Sequence, residues 1–371
     1  MAVAEWPTTL PAEIRHPAVA SAVSSTRFYF GVLSLLGLAA FVFNIDNRAS
    51  ANSLLAVAPP VDFIPPFSVA GWSAAYAYHL QDPLFAACGG AVTLGQFQFM
   101  YRWEWLRQAS LAALVGWSVA GFAAAAAWRQ YRCVLPRLSG LALLLIACGA
   151  ARVAAEFATG EFRALSSLNV GQYRHAMDVT LASTALAALF ATSITPHDWS
   201  RRIPSVRARP SEWLWTAAIL LDIGFGALFA ARNATPFWPT WPGYDGQLLP
   251  PLAQMTSYSP WWLNLTFNPY TIQLVHRGLS MALFLAALWQ LVSCLLRSDP
   301  SAWPRVRFFL IAGQILLGIV TLVLAVPAAL SVAHQIGAVF LLAFSFTVLR
   351  SPDERMHGRP SRIWHLRQTP G

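Results

Sequence analysis

The chain has 371 residues, of which 56% are hydrophobic and only 11% charged, and its mean hydropathy is positive. A soluble domain carries about 25% charged residues, so this composition excludes a soluble globular protein and identifies an integral membrane one. The net charge of +9 does not point to nucleic acid: every basic residue apart from histidine is an arginine, and most lie in alternate loops between apolar runs. That pattern is a topology signal.

The first residues hold Glu5 and Glu13 and no apolar core, so neither a secretory signal nor an acid-poor transit peptide is expected there. Apolar segments of about 20 residues, enough to cross a bilayer, fall at 26–45, 105–128, 137–156, 173–195, 212–232, 271–296, 306–326 and 329–349. Between them, Arg129, Arg132 and Arg137 share one loop, Arg201, Arg202, Arg207 and Arg209 a second, and Arg297, Arg305 and Arg307 a third. The tail adds Arg350, Arg355, Arg359, Arg362 and Arg367. The positive-inside rule places all of these, and both termini, in the cytoplasm. The opposite side carries two long loops, 46–104 and 233–270, in which Trp238-Pro-Thr-Trp241 and Trp261-Trp262 read as interfacial anchors. Of the four cysteines, Cys88, Cys133, Cys148 and Cys294, only Cys88 lies in such a loop, so no outer disulfide is expected within one chain.

The pattern repeats. Each half reads helix, long outer loop, helix, short inner loop, helix, outer turn, helix, with a proline-rich stretch and an aspartate in each long loop: Pro59-Pro-Val-Asp-Phe-Ile-Pro-Pro66 and Trp241-Pro-Gly-Tyr-Asp-Gly-Gln-Leu-Leu-Pro-Pro251. An even number of spans per half makes these parallel repeats. The expected fold is all-α and integral to the membrane, with eight transmembrane helices forming two four-helix bundles. The expected divisions are a cytoplasmic segment 1–25, a first bundle 26–200, a second bundle 201–349 and a basic cytoplasmic tail 350–371.

Two histidines of the second half, His276 and His334, stand at matched depth in helices that run in the same direction, about 7–8 Å below the outer start at 1.5 Å per residue. An intramembrane histidine is costly and points to function. A pair at one level is what axial ligation of a haem iron needs. Zinc would need three or four ligands, and none are placed to help. Arg277, next to His276, is suited to neutralise a haem propionate. When the halves are overlaid, His276 falls on Arg107 and His334 on Asp178. A lone charge is expensive in a membrane, so Arg107 and Asp178 are expected to pair across the first bundle. Arg152 and Glu156 are spaced for a local pair. Asp222, deep in the fifth helix, is expected to bond to a neighbouring helix, with a proton-relay role as the alternative.

At these residues the chain resembles the haem A synthase family, membrane enzymes that convert haem O to haem A for cytochrome oxidase. The resemblance is carried in the second half by Trp238-Pro-Thr-Trp-Pro-Gly-Tyr-Asp-Gly246, Asn268-Pro-Tyr-Thr-Ile-Gln-Leu-Val-His-Arg277, Gln314-Ile-Leu-Leu-Gly318 and Ala333-His-Gln335. In the first half it rests on Trp72-Ser-Ala-Ala-Tyr-Ala-Tyr-His-Leu-Gln-Asp-Pro83, Gln96-Phe-Gln-Phe-Met-Tyr-Arg-Trp-Glu-Trp105 and Tyr173-Arg174. It implies oxidation of a haem methyl group, with a haem b held by His276 and His334 passing electrons. It also implies a substrate haem in the first bundle, with Glu104 at the position of the family's catalytic glutamate. The first-bundle histidines do not carry over, since Arg107 and Asp178 occupy their positions, and the threonine-arginine motif near Asn47-Arg48 is only partly kept.

The resemblance implies a bacterial inner membrane. Partners it implies are haem O synthase, an electron donor and cytochrome oxidase assembly factors, with no nucleic acid. Three readings compete: a haem A synthase with an altered substrate site, to which His175 supplies a ligand; a haem-b-binding paralogue that no longer hydroxylates and serves electron transfer or oxidase assembly; and a transporter-like protein. The last is disfavoured because no helix is broken by Gly or Pro at the midplane.

Overall fold

The computed structural model describes residues 28–42, 62, 64–81, 93–128, 135, 138–144, 146–147, 150, 171–194, 210–232, 234–299 and 301–350. The expectations for Asn47-Arg48, Cys88, Cys133, Cys148, Arg152 with Glu156, both termini and half of the third span lie outside these residues.

The described part is helical, with a single isolated β-bridge between Tyr244 and Gln247. In chain order the helices are α1 (Phe28–Val42), α2 (Val69–His79), α3 (Leu94–Ala127), α4 (Gly171–Ile194), α5 (Pro210–Ala231), α6 (Pro269–Leu296), α7 (Trp303–Val323) and α8 (Ala328–Arg350). Among the described residues six helices, α3 to α8, are long and apolar enough to cross a membrane, whereas α1 is a shorter apolar helix. Apolar side chains such as Val115, Val119, Trp289, Phe309 and Leu316 point outward. That is expected where the solvent is lipid and every backbone group must be satisfied within its own helix. The protein is an all-α, multi-pass membrane protein.

Two boundaries move from their expected places. α3 begins at Leu94, well before the expected start at 105, because Thr93 and Gln96 form a reciprocal capping box. The pair satisfies the first free N–H groups and makes residues 94–104 helical. α2 lies inside the stretch read as loop, started by Ser68, whose hydroxyl accepts from the Gly71 N–H. Trp72 of α2 packs edge-on against Phe97 and Tyr101 of α3, and the Tyr101 hydroxyl accepts from the Asp62 N–H at 2.8 Å.

In the second half α5 packs against α6 and α8, and α7 packs against the same two. The four close a ring in which α6 and α8 are not close-packed neighbours. α4 lies in the groove between α5 and α8. Its small residue Ala187 is buried there, allowing the close approach that membrane helices use in place of a hydrophobic drive. One apolar cluster joins Leu186 of α4, Ile219 of α5, Leu283 of α6, Ile311 of α7 and Leu342 of α8.

Arg307 departs from its expected place. Read as a loop charge, it lies in the first turns of α7 and is only 1% exposed. Its guanidinium pairs with Glu212 of α5, donates to Gln290 Oε1 of α6 at 2.7 Å, and faces the Trp215 ring. A charge so placed is tolerable only because it is fully partnered. It ties three helices together at one end of the ring.

Candidate functional site

The site is built on α5 to α8. Asn268 starts α6: its side-chain oxygen accepts from the Tyr270 N–H at 3.0 Å, and Pro269 supplies a preset first turn. Asn268 is fully buried, and its amide donates to Gln254 O at 2.7 Å, which anchors the outer loop to the helix start. His276 follows seven residues after Pro269, and His334 six after Ala328. At 1.5 Å per residue they stand about 10.5 and 9 Å inside their helices, a little more than the roughly 7–8 Å expected and still at similar depth. His334 lies within electrostatic reach of both His276 and Asp222.

Each imidazole is met in the same way by the preceding helix of the ring. On α5, Asp222 Oδ1 lies 2.8 Å from His276 Nδ1, and a Cβ on Gly226, one turn further, would sit 3.0 Å from His276 Cε1. On α7, Gln314 Nε2 lies 3.2 Å from His334 Nδ1 and donates to His334 O at 2.8 Å. A Cβ on Gly318, again one turn further, would sit 2.8 Å from His334 Cε1. A polar residue followed four residues later by glycine therefore occurs twice. The polar group faces Nδ1 and the glycine clears the ring edge; Asp222 can only accept there, which leaves Nε2 as the nitrogen His276 can offer, whereas the Gln314 amide nitrogen is a donor toward His334 Nδ1. Asp222 also accepts from Ser280 Oγ of α6 at 2.9 Å, so the expected bond to a neighbouring helix is present.

Among the described residues no group of three or more His, Cys, Asp or Glu is placed to hold a metal ion. Two imidazoles alone suit a metal whose other ligands come from a macrocycle. The two glycine clearances fit such a group, because a methyl at either position would displace an imidazole.

Arg277 lies on the next face of α6, and its guanidinium donates to Trp238 O at 2.8 Å and to Gly243 O at 3.4 Å. It stands over the Tyr244 ring at 4.6 Å and the Trp241 ring at 5.7 Å. Gln273 donates to the same Trp238 carbonyl at 2.9 Å. Burial pushes the Tyr244 phenol above its ordinary range, with the Arg277 charge acting in the opposite direction. The loop turns sharply here: a Cβ at Gly243 would meet Gln247 O at 2.7 Å, and Gly246 has φ +85°, a backbone conformation natural only to glycine. Trp238 is therefore not the interfacial anchor expected of it. It is buried, packs on Tyr244 and Tyr270, and serves through its carbonyl as the acceptor for α6. Trp261 and Trp262 of the second expected anchor are exposed.

The first half is arranged differently from expectation. Arg107 does not reach Asp178: both ends of its guanidinium go to Glu104, one turn back on α3, with Nε donating to Oε2 at 2.8 Å. Gln108 Nε2 adds a bond to Glu104 Oε1 at 3.0 Å. A partner three residues away on the same face needs no help from another helix, and the local pair therefore wins over the remote one. Glu104 is buried, while the Arg107 side chain is 27% exposed. His175 and Asp178 are half-buried on α4, three residues apart.

Fold and site together define a multi-pass α-helical membrane protein that presents a pair of imidazoles inside a ring of four helices. The family model described as "Cytochrome oxidase assembly protein" matches residues 58–346. The heme A synthase of Azorhizobium caulinodans is 32% identical over 293 residues, covering 76% of this chain and 81% of that protein. The heme A synthases of Agrobacterium fabrum and Chelativorans sp. are 33% and 31% identical over 286 and 291 residues, covering 76% of this chain and 77% and 78% of theirs. The chain belongs to the haem A synthase family. No solved structure matches it.

Proposed function

We propose that this chain is a haem A synthase-type membrane oxidoreductase. In this reading the second half binds one haem b between His276 and His334, and the haem O methyl group is oxidised to give haem A for cytochrome oxidase. The observation that carries it is the repeated grip on the two histidines, Asp222 with Gly226 and Gln314 with Gly318. Asp222, an acceptor at Nδ1, leaves His276 Nε2 for the iron, and Gln314 positions the His334 ring through its amide nitrogen. A haem so held supplies one-electron transfer. The chain's own part is to fix the His276 tautomer, keep the ring edges clear and hold the outer loop. Arg277 does the last of these through Trp238 O and Gly243 O. It has five N–H donors, and those not spent on the loop would meet a haem propionate.

The wider architecture belongs to the same proposal: eight spans in two parallel repeats, 26–200 and 201–349, both termini cytoplasmic, in a bacterial inner membrane. An electron donor, haem O synthase and oxidase assembly factors would be its partners. Glu104 would be the catalytic carboxylate, and His175 is the histidine nearest in sequence to the lost ligand at Asp178.

A second reading is favoured by one observation. Glu104 is engaged by Arg107 and Gln108 at the place where the overlay puts a histidine ligand. In that reading the first half no longer binds a substrate haem, and the protein is a haem-b-binding relative acting in electron transfer or oxidase assembly. Co-expression with haem O synthase, followed by haem extraction and chromatography, separates the two. Haem A in the extract establishes the synthase activity. Unchanged haem O with one haem b per chain establishes the second reading.

A further inference from the structure

We propose that Asp222 is a positioning residue that holds the proton on His276 Nδ1 and lowers the reduction potential of the haem which that histidine ligates. The inference rests on the bis-histidine reading above and adds to it a role for a residue on a different helix. Asp222 lies deep in α5, an apolar membrane helix. A carboxylate at such a depth costs about 2.5–3.5 kcal/mol on insertion scales, so its presence calls for an interaction that repays it. Its two oxygens have separate partners, both on α6: Oδ1 is 2.8 Å from His276 Nδ1, and Oδ2 accepts from Ser280 Oγ at 2.9 Å. Ser280 is one helical turn beyond His276, so a single face of α6 fixes both the position and the rotamer of the carboxylate. The 2.8 Å approach is an ion-pair contact, and neither Oδ1 nor Nδ1, both sealed from solvent, has a hydrogen-bond partner elsewhere.

The companion half of the site supplies the contrast. Gln314 faces His334 Nδ1 from the corresponding place on α7, and each is followed one turn later by the glycine that clears the ring. The two supports differ in charge and in hydrogen-bond sense: a carboxylate that can only accept stands behind one ligand, and a neutral amide that donates through Nε2 stands behind the other. A carboxylate accepting from Nδ1–H makes the imidazole a stronger donor to the metal, which favours ferric over ferrous iron. A neutral amide does this much less. The asymmetry makes His276 the stronger ligand and sets the potential below that of a site with two amides.

The test uses the full chain purified in detergent with its haem, titrated by spectroelectrochemistry. Asp222→Asn and Asp222→Gln remove the charge while keeping an amide oxygen that can accept from Nδ1–H. In both, the ferrous-to-ferric ratio at a fixed ambient potential should rise at least tenfold, which is 59 mV for a one-electron couple. Alternatively, haem occupancy should fall at least tenfold, as for the loss of an outer-shell partner. Asp222→Glu, which keeps the carboxylate, should restore both values to within about threefold of the unsubstituted protein. Unchanged potential and occupancy in Asp222→Asn and Asp222→Gln would overturn the proposal. So would haem loss in all three variants, Asp222→Glu included, because that would make the residue merely structural. Failure of the underlying reading looks different: the haem signal would then survive His276→Ala, whatever Asp222 does.

Discussion

Gly318→Ala isolates the claim that space beside His334 is part of the site. The added methyl carbon would lie 2.8 Å from His334 Cε1, whereas carbon atoms rest about 3.5–4.0 Å apart. The ring must therefore retreat by roughly 0.7–1.2 Å, beyond the ~0.5 Å tolerance of a preorganised site. Alanine also favours a helix over glycine by about 1 kcal/mol, so the substitution should not weaken α7 itself. The expected outcome is a protein that folds and melts at or slightly above the temperature of the unsubstituted chain when both are free of haem, but binds haem on the order of 10–100-fold more weakly. Haem titration followed by absorbance, alongside thermal unfolding of the haem-free protein in detergent, reads the two effects separately. Undiminished haem affinity would refute the reasoning, and so would a loss of affinity matched by loss of the fold. Gly226→Ala, with its milder approach of 3.0 Å to His276 Cε1, should show the same effect more weakly.

Other perturbations test the scaffold. Arg307→Ala or Glu212→Ala should each cost about 3–5 kcal/mol, because either leaves a buried charge without its partner. The double variant should recover part of that loss in a double-mutant cycle by thermal or denaturant unfolding, and strict additivity would contradict the pairing. Asn268→Ala removes the α6 cap and the shorter of the two hydrogen bonds to Gln254 O, so a loss of about 1–2 kcal/mol and a lower melting temperature are expected. Arg277→Ala should release the 238–247 loop from α6. Limited proteolysis would show it as faster cleavage there, with the helices still protected, and cleavage at the unsubstituted rate would contradict the clamp.

Much of the architecture was legible because membrane spans announce themselves by length and apolarity. The expected segments at 212–232, 271–296, 306–326 and 329–349 fall within a few residues of α5 to α8. The similar depth of His276 and His334 is legible because helical rise is fixed, whereas the Asn268-Pro269 start of α6 lies just ahead of the expected 271. Side-chain partnership was harder to read. Arg307 looked like one more loop arginine, since nothing in a linear reading brings Glu212 to it from 95 residues away. Trp238 has the composition of an interfacial anchor, and its inward turn depends on Arg277 and Gln273 reaching one carbonyl. The repeat places Arg107 and Asp178 by register alone, and register says nothing of Glu104, the nearer partner one turn away on the same helix. The support of the histidines leaves a sequence signal, a polar residue four positions before a glycine in two apolar helices that face each other across the ring. Its meaning depends on knowing which helix each pair faces.

The central claim is that one haem b sits between His276 and His334. It is tested most directly by the reduced-minus-oxidised absorbance spectrum of the purified chain and of its His276→Ala and His334→Ala variants, with haem quantified by extraction. The account predicts a low-spin b-type signal in the unsubstituted chain and its loss in either variant, with both variants still folded. A low-spin signal surviving in both variants would contradict it.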